Sequence, residues 1–250
     1  MKRLQDRRTS RRRIVLMRHG SVDYFRADGS PIPPDTVSLS DLGRVQADAA
    51  GKLFAAEGIR FDLAITSGLP RTEETAKRVL AASAQAQRTE AVPALREIRG
   101  GSLANIPDDD LEAAFTGAFA GGADVENRRF LGGESIGELL DRVLPAFDAL
   151  LMRNDWDCML LVLHGAVNRA ILARALTGGR AFLGPLEQSP ACINILDAGK
   201  DDIIVRASNL APTHWLHGGE RSTTMENLLT QYRCYRHASS SATTTAAARE

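Results

Sequence analysis

The 250-residue sequence predicts an α/β fold, a three-layer αβα sandwich around a mainly parallel central sheet. Three observations predict it. Short apolar runs of strand length alternate with longer segments of helical period, the order that produces a parallel sheet covered by helices on both faces. Glycine, proline and serine punctuate the ends of these segments. Finally, three chemically suggestive segments, Arg18-His19-Gly20, Ser67 to Arg71 and His164-Gly165, directly follow apolar runs. Open parallel sheets bind ligands outside the carboxyl ends of their strands, which is where these segments fall.

Taken in order, Ile14-Val15-Leu16-Met17 is a first buried strand. Residues 26–38 are rich in Pro, Gly, Asp and Ser and form a loop. Ser40 caps a helix running to about Glu57, with Leu42, Val45, Ala49, Leu53 and Phe54 on its expected buried face and Gly58 as terminator. Phe61–Thr66 is a second strand, and Pro70 suits the first turn of a helix over 70–82. Leu69, Ala76, Val79 and Leu80 give that helix its period. A third strand falls around Glu90–Val92. Residues 98–133 are Gly- and Asp-rich around a short helix, Asp110–Phe119, and read as an insertion or lid over the site. Ser135 and Glu138 match a capping box opening a helix to about Arg153. Met159–Leu163 is a fourth strand, followed by a helix of about 166–177 closed by Gly178-Gly179. Ala191–Leu196 and Ile203–Ala207 form a hairpin around Gly199-Lys200. One domain thus spans 13–236, between a basic arm, 1–12, and a Ser/Thr/Ala tail, 237–250, both expected to be disordered.

Composition narrows the function. Apolar residues make up 44% and charged residues 25%, ordinary for a globular protein. The formal charge is zero, but residues 1–13 hold seven bases and one acid, so the body 14–236 carries 29 acids against 23 bases. That sign argues against nucleic acid as a partner, yet a few convergent arginines still suffice for a small anion. No apolar run has membrane-span length, and Ile14–Met17 is too short for a signal peptide. Cys158, Cys192 and Cys234 show neither a disulfide framework nor a zinc pattern, which fits a reducing, cytoplasmic setting. His214 and His217 have metal spacing, but Trp215 and Leu216 between them read as a packed segment. Asp108-Asp109-Asp110 reads as a solvated helix start. No metal or cofactor is expected.

The chemistry concentrates in a few residues. Arg18 offers a planar, permanently charged fork suited to phosphate, and Gly20 allows close backbone approach. His164 repeats the strand–His–Gly context of His19, so the two histidines can converge on one pocket. Arg71 opposes the dipole of the helix it opens, a cost that an anion bound there would offset; a solvated surface arginine is the alternative.

The segment Leu16-Met17-Arg18-His19-Gly20 resembles the signature of the histidine phosphatase superfamily, in its phosphoglycerate-mutase-like branch. Further resemblances follow in family order over about residues 13–217. They are Leu39-Ser40 through Gly43 to Gln46-Ala47, Ser67 through Arg71 to Thr75-Ala76, and Leu95-Arg96-Glu97. Gly132-Gly133-Glu134-Ser135, His164-Gly165 with Arg169, and Asn209 with His214 complete the series. The resemblance implies a phosphoglycerate-mutase-like fold and a phosphomonoesterase acting through phosphohistidine. His19 is then the nucleophile, and Arg18, Arg71 and His164 hold the phosphoryl oxygens. Glu97 is the implied general acid and base, with a surface carboxylate as its alternative. The acid-phosphatase branch places an Asp after the second histidine, where this chain has Gly165. The chain also departs from the family at Ser21 and Val22, at Tyr24-Phe25 where the mutases have Trp-Asn, and at Leu163 where a Ser is usual. Ser21, Tyr24, Phe25, Arg128 and Phe130 are candidate substrate-pocket residues; for Arg128 and its neighbour Arg129 a solvated pair is the alternative. The partner is a small phosphorylated substrate or a phosphoprotein, the assembly a monomer or homodimer. The rival readings are a phosphoglycerate mutase, which needs a second set of basic groups, and an inactive phospho-ligand-binding or interaction module.

Overall fold

The computed structural model describes residues 11–247 except 27, 104–105 and 216, with 237–247 described as backbone. The arm's first ten residues and 248–250 lie outside the described residues. Six strands form one sheet in the order β3-β2-β4-β1-β5-β6. They are β1 (Arg12–Arg18), β2 (Leu63–Thr66), β3 (Thr89–Ala91), β4 (Cys158–Leu163), β5 (Ile193–Ala198) and β6 (Ile203–Leu210). The first four run parallel, and the β5–β6 hairpin adds an antiparallel edge to β1. The helices are α1 (Asp41–Ala56), α2 (Pro70–Ala82), α3 (Leu111–Thr116), α4 (Ile136–Met152), α5 (Gly165–Thr177) and α6 (Thr224–Ala247).

The central strands are apolar at every position because both faces are covered. Ile14, Leu16, Met159 and Leu161 point into one core with α4 and α5. Val15, Met17, Leu160 and Val162 point into the other, against Phe54 of α1 and Val79 of α2. Register then sets the site. Arg18 lies opposite Leu163, so His19 and His164 emerge side by side. Thr66 lies opposite Val162, which brings Ser67 alongside the same edge.

The predicted face of α1 is corrected. Leu42 and Val45 are 52% and 59% exposed, while Gly43, Gln46, Ala47, Ala50 and Gly51 are buried with Phe54. Close approach decides this rather than hydrophobic bulk. A Cβ on Gly43 would fall 2.1 Å from the Ser21 carbonyl oxygen, and one on Gly51 2.5 Å from the Val79 carbonyl oxygen. The contact fixes the loop after His19: Ser40 caps α1 and its hydroxyl donates to Ser21 O, while Gln46 Oε1 accepts from Ser21 N.

At both ends the described residues carry regular structure. Arg12 opens β1, and its guanidinium lies 3.9 Å from the Trp156 ring centroid. Arg11 pairs with Asp202 at 2.6 Å. At the other end α6 continues to Ala247, since Ser, Thr and Ala lack a core face but do not break a helix. Within the 98–133 segment, read as an insertion or lid, Leu111 and Phe115 of α3 pack on Leu229 and Tyr232 of α6. No helix among the described residues is long and apolar enough to cross a membrane.

Gly43→Ala should cost about 1–3 kcal/mol, the usual range for overpacking, because a backbone oxygen cannot rotate away. Urea unfolding checks this; unchanged stability would mean that α1 can move off the Ser21 loop freely.

Candidate active site

Five side chains crowd the carboxyl edge of β1, β2 and β4. His164 is fully buried, His19 and Arg71 are 2% exposed, and Arg18 and Arg169 7%. His19 and His164 meet edge-on, with ring centroids 5.3 Å apart. Burial comes from the strand ends beneath and from the chain returning above: His19 N donates to Leu163 O, and Ala191 N donates to His19 O.

A hydrogen bond defines the state of the His19 ring. Nδ1 of His19 lies 2.7 Å from the Gly20 carbonyl oxygen. A carbonyl only accepts, so Nδ1 carries the proton and Nε2 keeps its lone pair. Burial, then the charges of Arg71 and Arg18, hold the His19 imidazolium well below its ordinary range. The ring is therefore neutral and nucleophilic at neutral pH. His164 is depressed in the same way by burial, Arg71, His19 and Arg18. Its Nε2 lies 2.7 Å from Ser67 Oγ. Thr72 gives its own proton to Leu69 O, so in the 3.1 Å contact between the two hydroxyls Ser67 is the donor, and the Ser67–His164 contact suits either ring tautomer.

The guanidinium groups are clamped by one corner each. Arg18 Nη1 donates to Gln188 O at 2.5 Å and Thr224 Oγ1 at 2.9 Å; Arg71 Nη1 donates to Pro34 O at 2.6 Å. Arg169 pairs with Glu187 at 2.6 Å, and burial lowers its pKa. Nε of Arg18, Arg71 and Arg169, together with His164 Nδ1, are buried without a hydrogen-bond partner among the described residues. The arginine donors among them are costly unless something accepts from them. Their number and charge suit a tetrahedral oxyanion. Arg71 is accordingly not the solvated surface residue that was its alternative.

Glu97 reaches the same place. Its carboxylate accepts from Ala166 N at 3.2 Å, in the first turn of α5. A Cβ on Gly165 would lie 3.4 Å from Arg169 Nη1, 3.7 Å from Glu97 Oε2 and 3.8 Å from Arg18 Nε. The carboxylate of Glu97 therefore stands beside the position from which an Asp would project in the other branch. Its loop is braced by Arg142, which donates to the carbonyls of Ala94, Arg96 and Glu97 and pairs with Glu134 at 2.7 Å. Glu134 in turn accepts from Arg99 N. Burial raises the Glu134 carboxyl, but Arg142 and the Arg99 N–H outweigh it and hold it below its ordinary value. The Gly-Gly-Glu-Ser segment is thus a brace for Glu97.

The substrate-pocket expectations divide. A cleft of about 220 Å³ opens from Arg18 and His19, with Ser21 and Tyr24 in its wall. Phe25 instead packs toward Tyr235, with ring centroids 6.4 Å apart. Arg128 is a staple, donating to Gly117 O and Gly121 O, and Phe130 meets Phe119 edge-on. Arg129 donates to Gly133 O and pairs with Glu138. Their sequence context gave no sign that local carbonyls and rings would claim them. The other wall comes from residues 187–190 and 220–231, including Glu187 and Thr224, with no described residue of 98–133. These were missed because they lie far along the chain and carry no local motif. Asn209 holds that wall, accepting from Ser189 N, while His217 Nε2 donates to Asn209 O. Among the described residues no His/Cys/Asp/Glu group has the arrangement of a metal site.

A neutral imidazole with its lone pair free, ringed by partnerless cationic donors at the edge of a parallel sheet, defines a class: α/β proteins that handle phosphate-like anions on histidine. The model of the histidine phosphatase superfamily (branch 1) matches residues 14–211, and the chain belongs to that superfamily. The chain is 35% identical over 146 residues to a 2,3-bisphosphoglycerate-dependent phosphoglycerate mutase of Azorhizobium caulinodans, covering 54% of this chain and 66% of that protein. It is 27% identical over 225 residues to an Arabidopsis thaliana protein named "Probable 2-carboxy-D-arabinitol-1-phosphatase", covering 86% of this chain and 46% of that one. The chain spans about half to two thirds of the length of the curated relatives it matches. Among solved structures, a mycobacterial glucosyl-3-phosphoglycerate phosphatase complexed with VO3 aligns with TM-score 0.61 and 25% identity, covering 79% of this chain and 98% of that one. The α-ribazole phosphatase of Shigella flexneri aligns with TM-score 0.58 and 22% identity, covering 79% and 96%; it shares the fold.

Two outcomes follow. The unfolded chain binds protons on His19 and His164 below their ordinary value of 6.5, whereas the folded chain resists them. Stability should therefore fall as pH drops below about 6.5, and His19→Asn should flatten that dependence. Urea midpoints between pH 8 and 5 check it; identical slopes in both proteins would contradict the buried neutral ring. Arg142→Ala should cost about 3 kcal/mol or more, since it strands the buried Glu134 carboxylate. A loss below 1 kcal/mol would show the brace to be dispensable.

Proposed function

We propose that the protein is a metal-independent phosphomonoester hydrolase acting through a phosphohistidine, on a small phosphorylated metabolite or a phosphoprotein. The observation that carries this reading is the set of buried, partnerless arginine Nε groups, with His164, beside a histidine whose free lone pair is on Nε2. Arg18, Arg71, Arg169 and His164 hold the phosphoryl oxygens and their transition-state charge. His19 Nε2 attacks phosphorus as the ester P–O bond breaks, and protonated Glu97 delivers its proton to the departing alkoxide. Water then attacks the phosphohistidine and gives a proton to Glu97. The P–N bond breaks, and phosphate and neutral His19 are released.

Hydrolysis is favoured over mutase transfer by the fate of the nearby bases. A mutase must hold a second anionic group, and Arg128 and Arg129, the candidates for that task, are bound to local carbonyls and Glu138. The mutase names of several relatives keep that reaction as the second reading, which phosphoglycerate as an assay substrate tests directly.

His19→Ala should abolish turnover and trapping of labelled phosphoenzyme while leaving the fold intact; a folded variant with a tenth of wild-type kcat would remove His19 from the nucleophile role. Arg71→Ala should lose on the order of 10²–10³ in kcat/KM, as for one preorganised transition-state donor. Activity should survive EDTA and be inhibited by vanadate; loss with EDTA and rescue by a divalent ion would contradict the guanidinium cage. Glu97→Gln should lose about 10²–10⁴-fold on an alkyl phosphate and much less on p-nitrophenyl phosphate, whose leaving group needs no proton. The comparison is made in the burst phase, where phosphorylation of His19 is observed alone; equal losses there would exclude Glu97 as the acid.

A further inference from the structure

The cleft leading out from His19 has a chemical bias of its own. Arg18 is the sole Lys or Arg among its described lining residues, and its Nη1 is already held by Gln188 O and Thr224 Oγ1. The remaining wall mixes hydroxyl and amide groups, among them Ser21, Ser222, Asn227 and Gln231, with the apolar Val22, Pro190 and Leu228, the ring of Tyr24 and two carboxylates, Glu187 and Glu220. The carboxylates differ. Glu187 pairs with Arg169 and accepts from Thr224, so it belongs to the cage as a counter-charge. Glu220 stands farther out, its side chain 42% exposed, accepting from Ser189 Oγ at 3.3 Å. Its one described ion-pair contact is His217 Nδ1 at 3.3 Å. The other ring nitrogen of His217, Nε2, donates to Asn209 O. A carboxylate without a Lys or Arg partner among the described residues lines the cleft, beside His217.

Resting on the hydrolase reading above, we propose that the substrate is a sugar-like polyol monophosphate whose other substituents are neutral or cationic. The hydroxyl and amide groups match a hydroxylated alcohol, because each substrate hydroxyl can both donate and accept, and Val22, Pro190 and Leu228 offer contact to its carbon skeleton. Glu220 repels a carboxylate or second phosphate and attracts an ammonium. A single contact between unit charges at this degree of exposure amounts to on the order of tenfold in binding. The enclosed form of the cleft, closed by the first turns of α6, suits a small alcohol better than a protein chain.

The test is a kcat/KM series on the full chain: glucosamine 6-phosphate, glucose 6-phosphate, 6-phosphogluconate and fructose 1,6-bisphosphate, with p-nitrophenyl phosphate as reference. Glucosamine 6-phosphate should equal or exceed glucose 6-phosphate, and both should exceed the two esters with a second anion by on the order of tenfold. Glu220→Gln should narrow that gap. Preference for 6-phosphogluconate or the bisphosphate, with p-nitrophenyl phosphate hydrolysed, overturns the substrate class and leaves the hydrolase reading standing. No turnover of any ester, p-nitrophenyl phosphate included, overturns both. A gap unchanged in Glu220→Gln, with the variant folded by circular dichroism, overturns the assignment to Glu220.

Discussion

Three guanidinium groups and two imidazoles buried at one sheet edge are the constraint on which the rest of the structure depends. Like charges at low dielectric repel, and partnerless donors lose hydration. The protein offsets part of this with fixed carbonyls, Gln188 O and Pro34 O, and one carboxylate, Glu187. The two histidines adapt differently: burial beside arginines keeps them neutral, which lowers the electrostatic cost and leaves His19 a lone pair for chemistry. Stability given up here is the same property that makes the site ready for an anion.

Much of the surrounding architecture holds that edge still. α1 approaches through glycine and alanine so that Ser40 and Gln46 can grip Ser21, two residues beyond His19. Glu134 and Arg142 perform a comparable task for the loop bearing Glu97, Arg142 donating to the carbonyls of Ala94, Arg96 and Glu97. Neither brace touches the place where an anion would sit. Both explain why short polar motifs remote from the histidines accompany them in the chain.

The outer half of the cleft is built on another logic. Its far wall comes from the 187–190 loop and from α6, which is anchored by aromatic packing of Tyr232 against Phe115 at 5.8 Å. Thr224 links the halves, accepting from Arg18 and donating to Glu187. The position of α6 is therefore coupled to the charge balance of the cage.

The sequence by itself determined the strands, the parallel sheet and the cage residues, because those depend on local periodicity and on residue types that few other chemistries require together. Arg18, His19, Arg71 and His164 stood out as strand-end or helix-start residue types and Glu97 only through the family resemblance, and the register of β1 with β4 placed His19 and His164 side by side. Only the tertiary structure decided which face of α1 is buried, since hydrophobic pattern favoured Leu42 and Val45 whereas backbone approach favoured Gly43 and Gly51. It likewise withdrew Arg128, Phe130 and Phe25 from the cleft and brought in Glu187, Glu220 and Thr224. A cation or an aromatic ring in a loop has many partners open to it, and which one it takes is settled by packing between segments a hundred residues or so apart, a distance over which no local pattern carries information.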